Sequence, residues 1–201
     1  MSMHIDGKKV TAMYWGGLKI REAWYEGRRV FSGKPVEGMP PTPGRTDARD
    51  WLRSKLTEYG ESYETVKELP FDIDASRATG LAGLFQHCYA LTTVPEMDTS
   101  KVTDMSYMFF GCSNLTTVPE MDTSQVTSME EMFGKARNIT YIPDLSTGRV
   151  RSASGMFYDC AKLTDGNVRL IGKNRWVTVV DMIKGSGLTR LPFYDSSGRP
   201  I

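Results

Sequence analysis

The chain contains few of the residues on which most catalytic and metal sites depend. Its 201 residues include only two histidines and three cysteines. His4 and His87 are isolated, so a histidine-based nucleophile and base have no good candidates. Close Cys or His pairs of the kind that bind zinc are also missing. We therefore expect a non-enzymatic protein that needs no cofactor and no metal.

Strong charge and long apolar runs are lacking as well. The net charge is +1, which argues against a nucleic-acid partner bound through bulk charge. The sequence has no apolar run that approaches the roughly 18 residues of a membrane span. The first residues, MSMHIDGKKVTAMYWGG, lack the apolar stretch and cleavage site of a signal peptide. We expect folding in the cytosol, without membrane insertion.

What the sequence does contain is an internal repeat of about 24 residues. Two segments are nearly copies, LTTVPEMDTSKVTDMSYMF at 91–109 and LTTVPEMDTSQVTSMEEMF at 115–133. The same step separates the aromatic positions Phe85, Phe109, Phe133 and Phe157. Self-similarity at one period is typical of repeat proteins, whose neighbouring units bury one continuous core. The pattern predicts a strand followed by a helical turn in each unit, and hence a parallel strand ladder.

The predicted strand ladder has an outward face that can bind a partner. Thr93, Thr117 and Tyr141 share one repeat position and are the candidate partner-binding residues. Exposed ladders are where repeat proteins bind their partners. The alternative is that threonine is present here only because it is a good strand residue.

Two other repeat positions carry chemistry-bearing residues. Cys88, Cys112 and Cys160 share one position, which favours buried thiols, although a Cys88–Cys112 disulfide stays open on distance. An acidic column is predicted from Glu96, Asp98, Glu120, Asp122 and Asp144. The column is either a set of solvated turns or a calcium site.

The repeat also resembles a known family. The run L-x-x-V-P-x-M-D-T-S-x-V-T-x-M-x-x-M-F-x-x-C, clearest at Leu91–Cys112, is similar to BspA-like leucine-rich-repeat surface proteins. The resemblance covers about residues 69–165. It implies an α/β leucine-rich-repeat solenoid with a short parallel strand ladder, and a role in surface display and adhesion. It implies no catalytic residues.

The segments before the repeats are of a different kind. Residues 1–33 predict a small β module with glycine turns, and residues 34–45 predict a Pro/Gly linker. Residues 46–68 predict a helical N-terminal cap for the region 69–201, which ends in a C-terminal cap. The first module resembles the short Gly-rich β modules of bacteriophage minor tail proteins. Its candidate docking residues are Tyr14, Trp15, Trp24, Tyr25 and Phe31.

Together these features favour a virion structural protein. The predicted protein is a phage minor tail or tail-tip component, assembled in the host cytoplasm in a multi-copy assembly. The N-terminal module would dock on other virion or tail proteins, and the repeats would bind a host-surface protein or glycan. One alternative is a bacterial cell-surface or secreted adhesin, found outside the cell or on its surface. A further alternative is an intracellular protein–protein scaffold.

Overall fold

The computed structural model describes residues 3–5, 8–10, 13–15, 18–20, 24–25, 28–29, 35–39, 47–175 and 177–201. Up to residue 36 the description covers the backbone alone. The described strands and the helix are β1 Met3–Ile5, β2 Lys8–Val10, β3 Met13–Trp15, β4 Leu18–Ile20, β5 Trp24–Tyr25, β6 Arg28–Arg29, β7 Pro35–Gly38, α1 Asp47–Glu58, β8 Asp72–Asp74, β9 Leu145–Ser146, β10 Leu170–Ile171 and β11 Phe193–Tyr194.

The N-terminal strands are joined to the repeat region through one mixed sheet. Strands β1 and β2 form an antiparallel pair, as do β5 and β6. A four-stranded sheet has the order β3-β4-β7-β8. In it β7 is antiparallel to β4 and parallel to β8. Strand β7 lies inside the segment 34–45 predicted as a linker, and it ties the first strands to residues Asp72–Asp74.

Helix α1 covers the first repeat unit, and it lies within residues 46–68, where the sequence predicts a helical cap. Asp47 and Asp50 lie in its first turn, where carboxylates complement the helix dipole. One face, formed by Ala48, Leu52 and Leu56, is buried. The helix ends before Gly60, whose φ of 74° favours a residue without a side chain. The sequence at this helix therefore specifies both its ends and its buried face.

The repeats consist of turns rather than strands and helices. Five turn segments, at residues 80–88, 104–112, 128–136, 152–160 and 178–186, follow one another along the chain. Isolated parallel bridges join them at Gly80, Asp104, Ser128, Ser152 and Thr178. Among the described residues, the strands that pair one repeat unit with another are β9, β10 and β11, which are parallel and have two residues each.

The predicted α/β leucine-rich-repeat solenoid is therefore wrong. Within the described ranges there is one helix, and no strand ladder runs through the repeats. Pro95 and Pro119 occupy the expected strand positions and have no N–H to donate to a ladder. In the expected helical turns, Tyr107 and Glu131 have φ of 59° and 48°. A positive φ at these non-glycine residues interrupts a helix.

Although the backbone differs from the prediction, the predicted burial pattern is present. Phe85, Phe109, Phe133 and Phe157 are fully buried. Their rings stack at centroid distances of 5.6, 5.3 and 6.0 Å, with interplanar angles of 7°, 15° and 16°. One connected apolar cluster extends from Met39 to Phe193. The 24-residue period thus specifies which side chains are inside without specifying strands.

Buried threonines add side-chain hydrogen bonds between units. Thr99, Thr123 and Thr147 are at most 2% exposed. The hydroxyl of Thr99 donates to the Asp122 carbonyl at 2.9 Å, and that of Thr123 to the Ser146 carbonyl at 3.0 Å. The Thr147 hydroxyl donates to the Gly172 carbonyl in the same way. A buried hydroxyl must be satisfied, and these three hydroxyls bridge neighbouring units.

All three cysteines are free and buried. The Cys112 and Cys160 thiols donate to the carbonyls of Phe85 and Phe133, each at 3.0 Å. Burial raises the pKa of Cys88 and of Cys160 to about 12. Burial also raises the pKa of Cys112 well above its usual value. The thiolate is the reactive form, so these side chains are inert in the folded protein.

Thiol labelling of the folded protein at pH 8 should therefore be slow at all three cysteines and become fast in denaturant. Reductant should leave the melting temperature unchanged. Because the folded state suppresses ionisation that the unfolded chain allows, stability should be full below about pH 8.5 and fall as pH rises beyond it. Rapid labelling in native buffer would contradict the buried placement.

Candidate binding surface

The three candidate partner-binding residues lie on the surface in successive units, but the structure does not gather them into one pocket. Thr93 and Thr117 are exposed, and Tyr141 is 51% exposed. The neighbouring threonines are used internally: the hydroxyls of Thr92 and Thr140 donate to the carbonyls of Lys67 and Thr116, at 2.9 and 3.2 Å. The column of candidate residues therefore stands beside a row of structural threonines.

Thr93 lies at the wall of a cavity of about 250 Å³ between the first two units. The apolar lining comes from Leu69, Phe71, Val94 and Pro95, and carboxylates come from Glu68 and Asp72. Pockets with an apolar floor and a few polar groups are typical of ligand sites.

At Tyr141 the neighbouring charges are already paired. Arg169 donates through Nε to Asp144 Oδ1 at 2.9 Å, and its second nitrogen contacts Oδ2. Hydrogen bonding to Asp144 raises the pKa of Arg169. A partner would therefore meet an aromatic ring beside a bidentate ion pair that is open to solvent.

The carboxylates of the acidic column are used in turns. Asp98 accepts from the Ser100 N–H at 3.0 Å, and Asp122 accepts from the Ser124 N–H at 2.9 Å. These serine hydrogen bonds lower the pKa of both carboxyl groups. Within the described ranges no three His, Cys, Asp or Glu side chains lie together as a metal site. At Asp98 and Asp122 the geometry is that of solvated turns, whereas Asp144 is paired with Arg169.

An aromatic cluster on the turn side was not predicted from the sequence. His87, which is isolated from other histidines in the sequence, stacks on Tyr89 at 5.4 Å and meets Phe110 edge-on at 5.4 Å. Lys135 Nζ lies 5.2 Å from the centre of the Phe110 ring. Burial, with the positive charges of Arg49 and Lys135, lowers the pKa of His87. The ring is therefore neutral at pH 7.

One sequence feature points to this cluster. The repeat position of His87 is occupied by Gly111 and Lys135 in the next two units. All three residues have positive φ, at 68°, 76° and 60°. A side chain added at Gly111 would lie 2.8 Å from His87 Cδ2. Gly111 therefore leaves room for the imidazole of His87. An alignment of the 24-residue repeats does not show this contact.

Four of the candidate docking residues lie in described strands. Tyr14 and Trp15 are in β3, and Trp24 and Tyr25 form β5. Phe31 lies outside the described residues. The docking role of all five stays a prediction.

These features define a class: a turn-rich repeat protein with a self-contained apolar interior and a polar, repeated exterior. Within that class the chain belongs to the family described as "Mycoplasma protein of unknown function, DUF285", whose model matches residues 79–186. The matched residues contain all five turn segments. A search of curated proteins and a search of solved structures each found no match to the chain. Within the described ranges no helix is long and apolar enough to span a membrane.

Proposed function

We propose that the protein is a non-enzymatic virion component, a phage minor tail or tail-tip protein whose repeat region binds a host surface. The observation that carries the proposal is the exposed column at Thr93, Thr117 and Tyr141, on a region whose interior is closed by its own side chains. The resemblance of the first 33 residues to phage tail modules supports the location. Strand β7 gives that module a backbone connection to the repeats.

The binding chemistry follows from the surface of the column. Tyr141 offers an aromatic face, and the Arg169–Asp144 pair beside it offers donors and acceptors. Aromatic rings bury a large area at low entropic cost and dominate the energetics of many recognition surfaces. A host-surface protein or glycan fits this arrangement.

The decisive experiment compares two exposed tyrosines on purified particles. Tyr141→Ala should leave incorporation of the protein unchanged by mass spectrometry and slow attachment to host cells about tenfold or more, the usual cost of a recognition hot spot. Tyr89→Ala is the matched control, since Tyr89 is 49% exposed but lies on the turn side. Equal attachment by both variants would remove the role of the column, and absence of the protein from particles would remove the virion assignment.

A bacterial cell-surface or secreted adhesin is the second candidate. It is favoured by the likeness of Leu91–Cys112 to BspA-like surface proteins, in a region that the family match includes. In this case the same Tyr141→Ala change should weaken binding of the purified protein to its target cells, and antibody should detect the protein on the surface of the producing cells.

A further inference from the structure

The turn segments are joined by one repeated set of hydrogen bonds. We call the contact between two consecutive turn segments a junction. In each junction four backbone N–H groups, on alternate residues of one segment, donate to four carbonyls of the next segment. All sixteen distances lie between 2.7 and 3.0 Å. The donors are Leu81, Gly83, Phe85 and His87; Met105, Tyr107, Phe109 and Gly111; Met129, Glu131, Phe133 and Lys135; and Ala153, Gly155, Phe157 and Asp159.

In the fifth segment the described residues supply no acceptor for the same four donors. The carbonyls of Thr178, Val180, Met182 and Lys184 accept from the fourth segment. The equivalent N–H groups, those of Val179, Asp181, Ile183 and Gly185, have no acceptor among the residues that the structure describes.

The backbone of the fifth segment nevertheless keeps the conformation of the others. Asp181 and Gly185 have φ of 51° and 74°, against 62° and 58° at Gly155 and Asp159. The four donors are thus held in the arrangement that each internal junction uses.

Two apolar side chains, those of Val180 and Ile183, stand on this segment together with an exposed ion pair between Asp181 and Lys184. Ile183 stands at the position of Phe157 in the column of rings and is only partly buried. Val180 is 70% exposed, whereas its equivalents Glu130 and Ser154 are polar. An apolar rim beside unpaired backbone donors is the composition of an edge that accepts another chain.

The opposite side of the same unit is closed. Strand β11 pairs with β10 on one edge. Its outer edge is covered by the C-terminal residues, because Tyr194 bridges to Pro200 and the Ile201 N–H donates to the Phe193 carbonyl at 3.0 Å. The open row is therefore confined to the turn side.

We propose that this row, with its four N–H groups and the side chains of Val180 and Ile183, binds a partner polypeptide segment that presents carbonyl oxygens at alternate residues. Main-chain pairing would supply affinity, and an apolar side chain set against Ile183 would supply selectivity. The inference rests on the junction geometry and is independent of the proposed function.

A second copy of the chain does not fit the row. If the open rows of two copies faced each other, the N–H donors of one copy would meet the N–H donors of the other, with no acceptor between them. The other end of the repeats is already covered, because Tyr63 donates its hydroxyl to the Leu84 carbonyl at 2.9 Å and α1 packs there. The occupant must therefore bring carbonyls from another polypeptide.

Amide hydrogen exchange on the whole chain tests the proposal. A synthetic peptide of residues 126–139 is the probe, because its carbonyls at Ser128, Glu130, Met132 and Gly134 fill the equivalent junction inside the protein. Without peptide, the amides of Val179, Asp181, Ile183 and Gly185 should exchange quickly. Saturating peptide should slow them at least tenfold, and a scrambled peptide should not.

A variant at Val180 separates docking from folding. Val180→Glu should keep the melting temperature, since Glu130 occupies the equivalent position in another unit. It should weaken binding of this peptide at least fivefold, because its carboxylate would stand beside Glu130 of the peptide, and like charges directly opposite each other repel. Lys162→Glu, at an exposed site outside the row, is the control and should bind normally. Three results would each overturn the proposal: protection of the four amides in the free monomer, protection that grows with protein concentration alone, and no protection by the peptide.

Discussion

Replacing Phe133 by alanine should lower the free energy of unfolding by about 3–5 kcal/mol. The side chain is fully buried. Its ring stacks on Phe109 at 5.3 Å and on Phe157 at 6.0 Å. Because the ring has neighbours on both sides, truncation leaves a cavity between two units as well as losing the transfer free energy of the ring. Adjacent junctions lose packing with it, so the loss should be near the upper end of the range.

Urea denaturation followed by circular dichroism measures this loss. Tyr141→Ala is the control, because half of that ring is already in solvent, and it should change stability by less than about 0.5 kcal/mol. Phe133→Leu should give an intermediate loss, since it keeps most of the buried volume. If the alanine variants at 133 and 141 unfold at the same urea concentration, the column of rings does not carry the stability assigned to it.

The burial of the repeats was predictable from the sequence because burial depends on side-chain chemistry at a fixed period. The phenylalanine column and the cysteine position follow directly from that period. The backbone was not predictable from it, because a period of 24 residues is compatible with any local conformation that returns the chain to the same place. Turns form because Pro95 and Pro119 cannot donate to a strand ladder. The positive φ at Tyr107 and Glu131 is likewise incompatible with a regular helix.

The site was less predictable than the interior. Exposure of Thr93, Thr117 and Tyr141 follows from the repeat, but the cavity beside Thr93 depends on Asp72, which lies in a strand paired with β7. No sequence pattern indicated that pairing. The open row at 179–185 is likewise invisible in the residues, because it consists of backbone groups whose partners are defined by the neighbouring unit.

Strand β7 is attached to the repeat region by buried contacts. Met39 is 2% and Glu37 is 8% exposed. The Tyr59 hydroxyl donates to Glu37 Oε1 at 2.8 Å, and Lys55 Nζ lies 3.1 Å from Oε2. Burial and this carboxylate raise the pKa of Tyr59 to about 12. The contacts lie C-terminal to residue 33, so two truncations can separate the first module from the strand that supports β8.

Deleting residues 1–33 should leave a protein that melts cooperatively, close to the whole chain, and that no longer enters particles. Deleting residues 1–45 should in addition cost about 3–5 kcal/mol, because it removes the burial of Met39 and leaves Tyr59 without its charged acceptor. Thermal melts measure the stability of the two truncated proteins, and mass spectrometry of purified particles measures whether the chain lacking residues 1–33 is incorporated. Equal stability of the two truncated proteins would show that β7 does not support the repeats. Normal incorporation of the chain lacking residues 1–33 would remove the docking role of Tyr14, Trp15, Trp24, Tyr25 and Phe31.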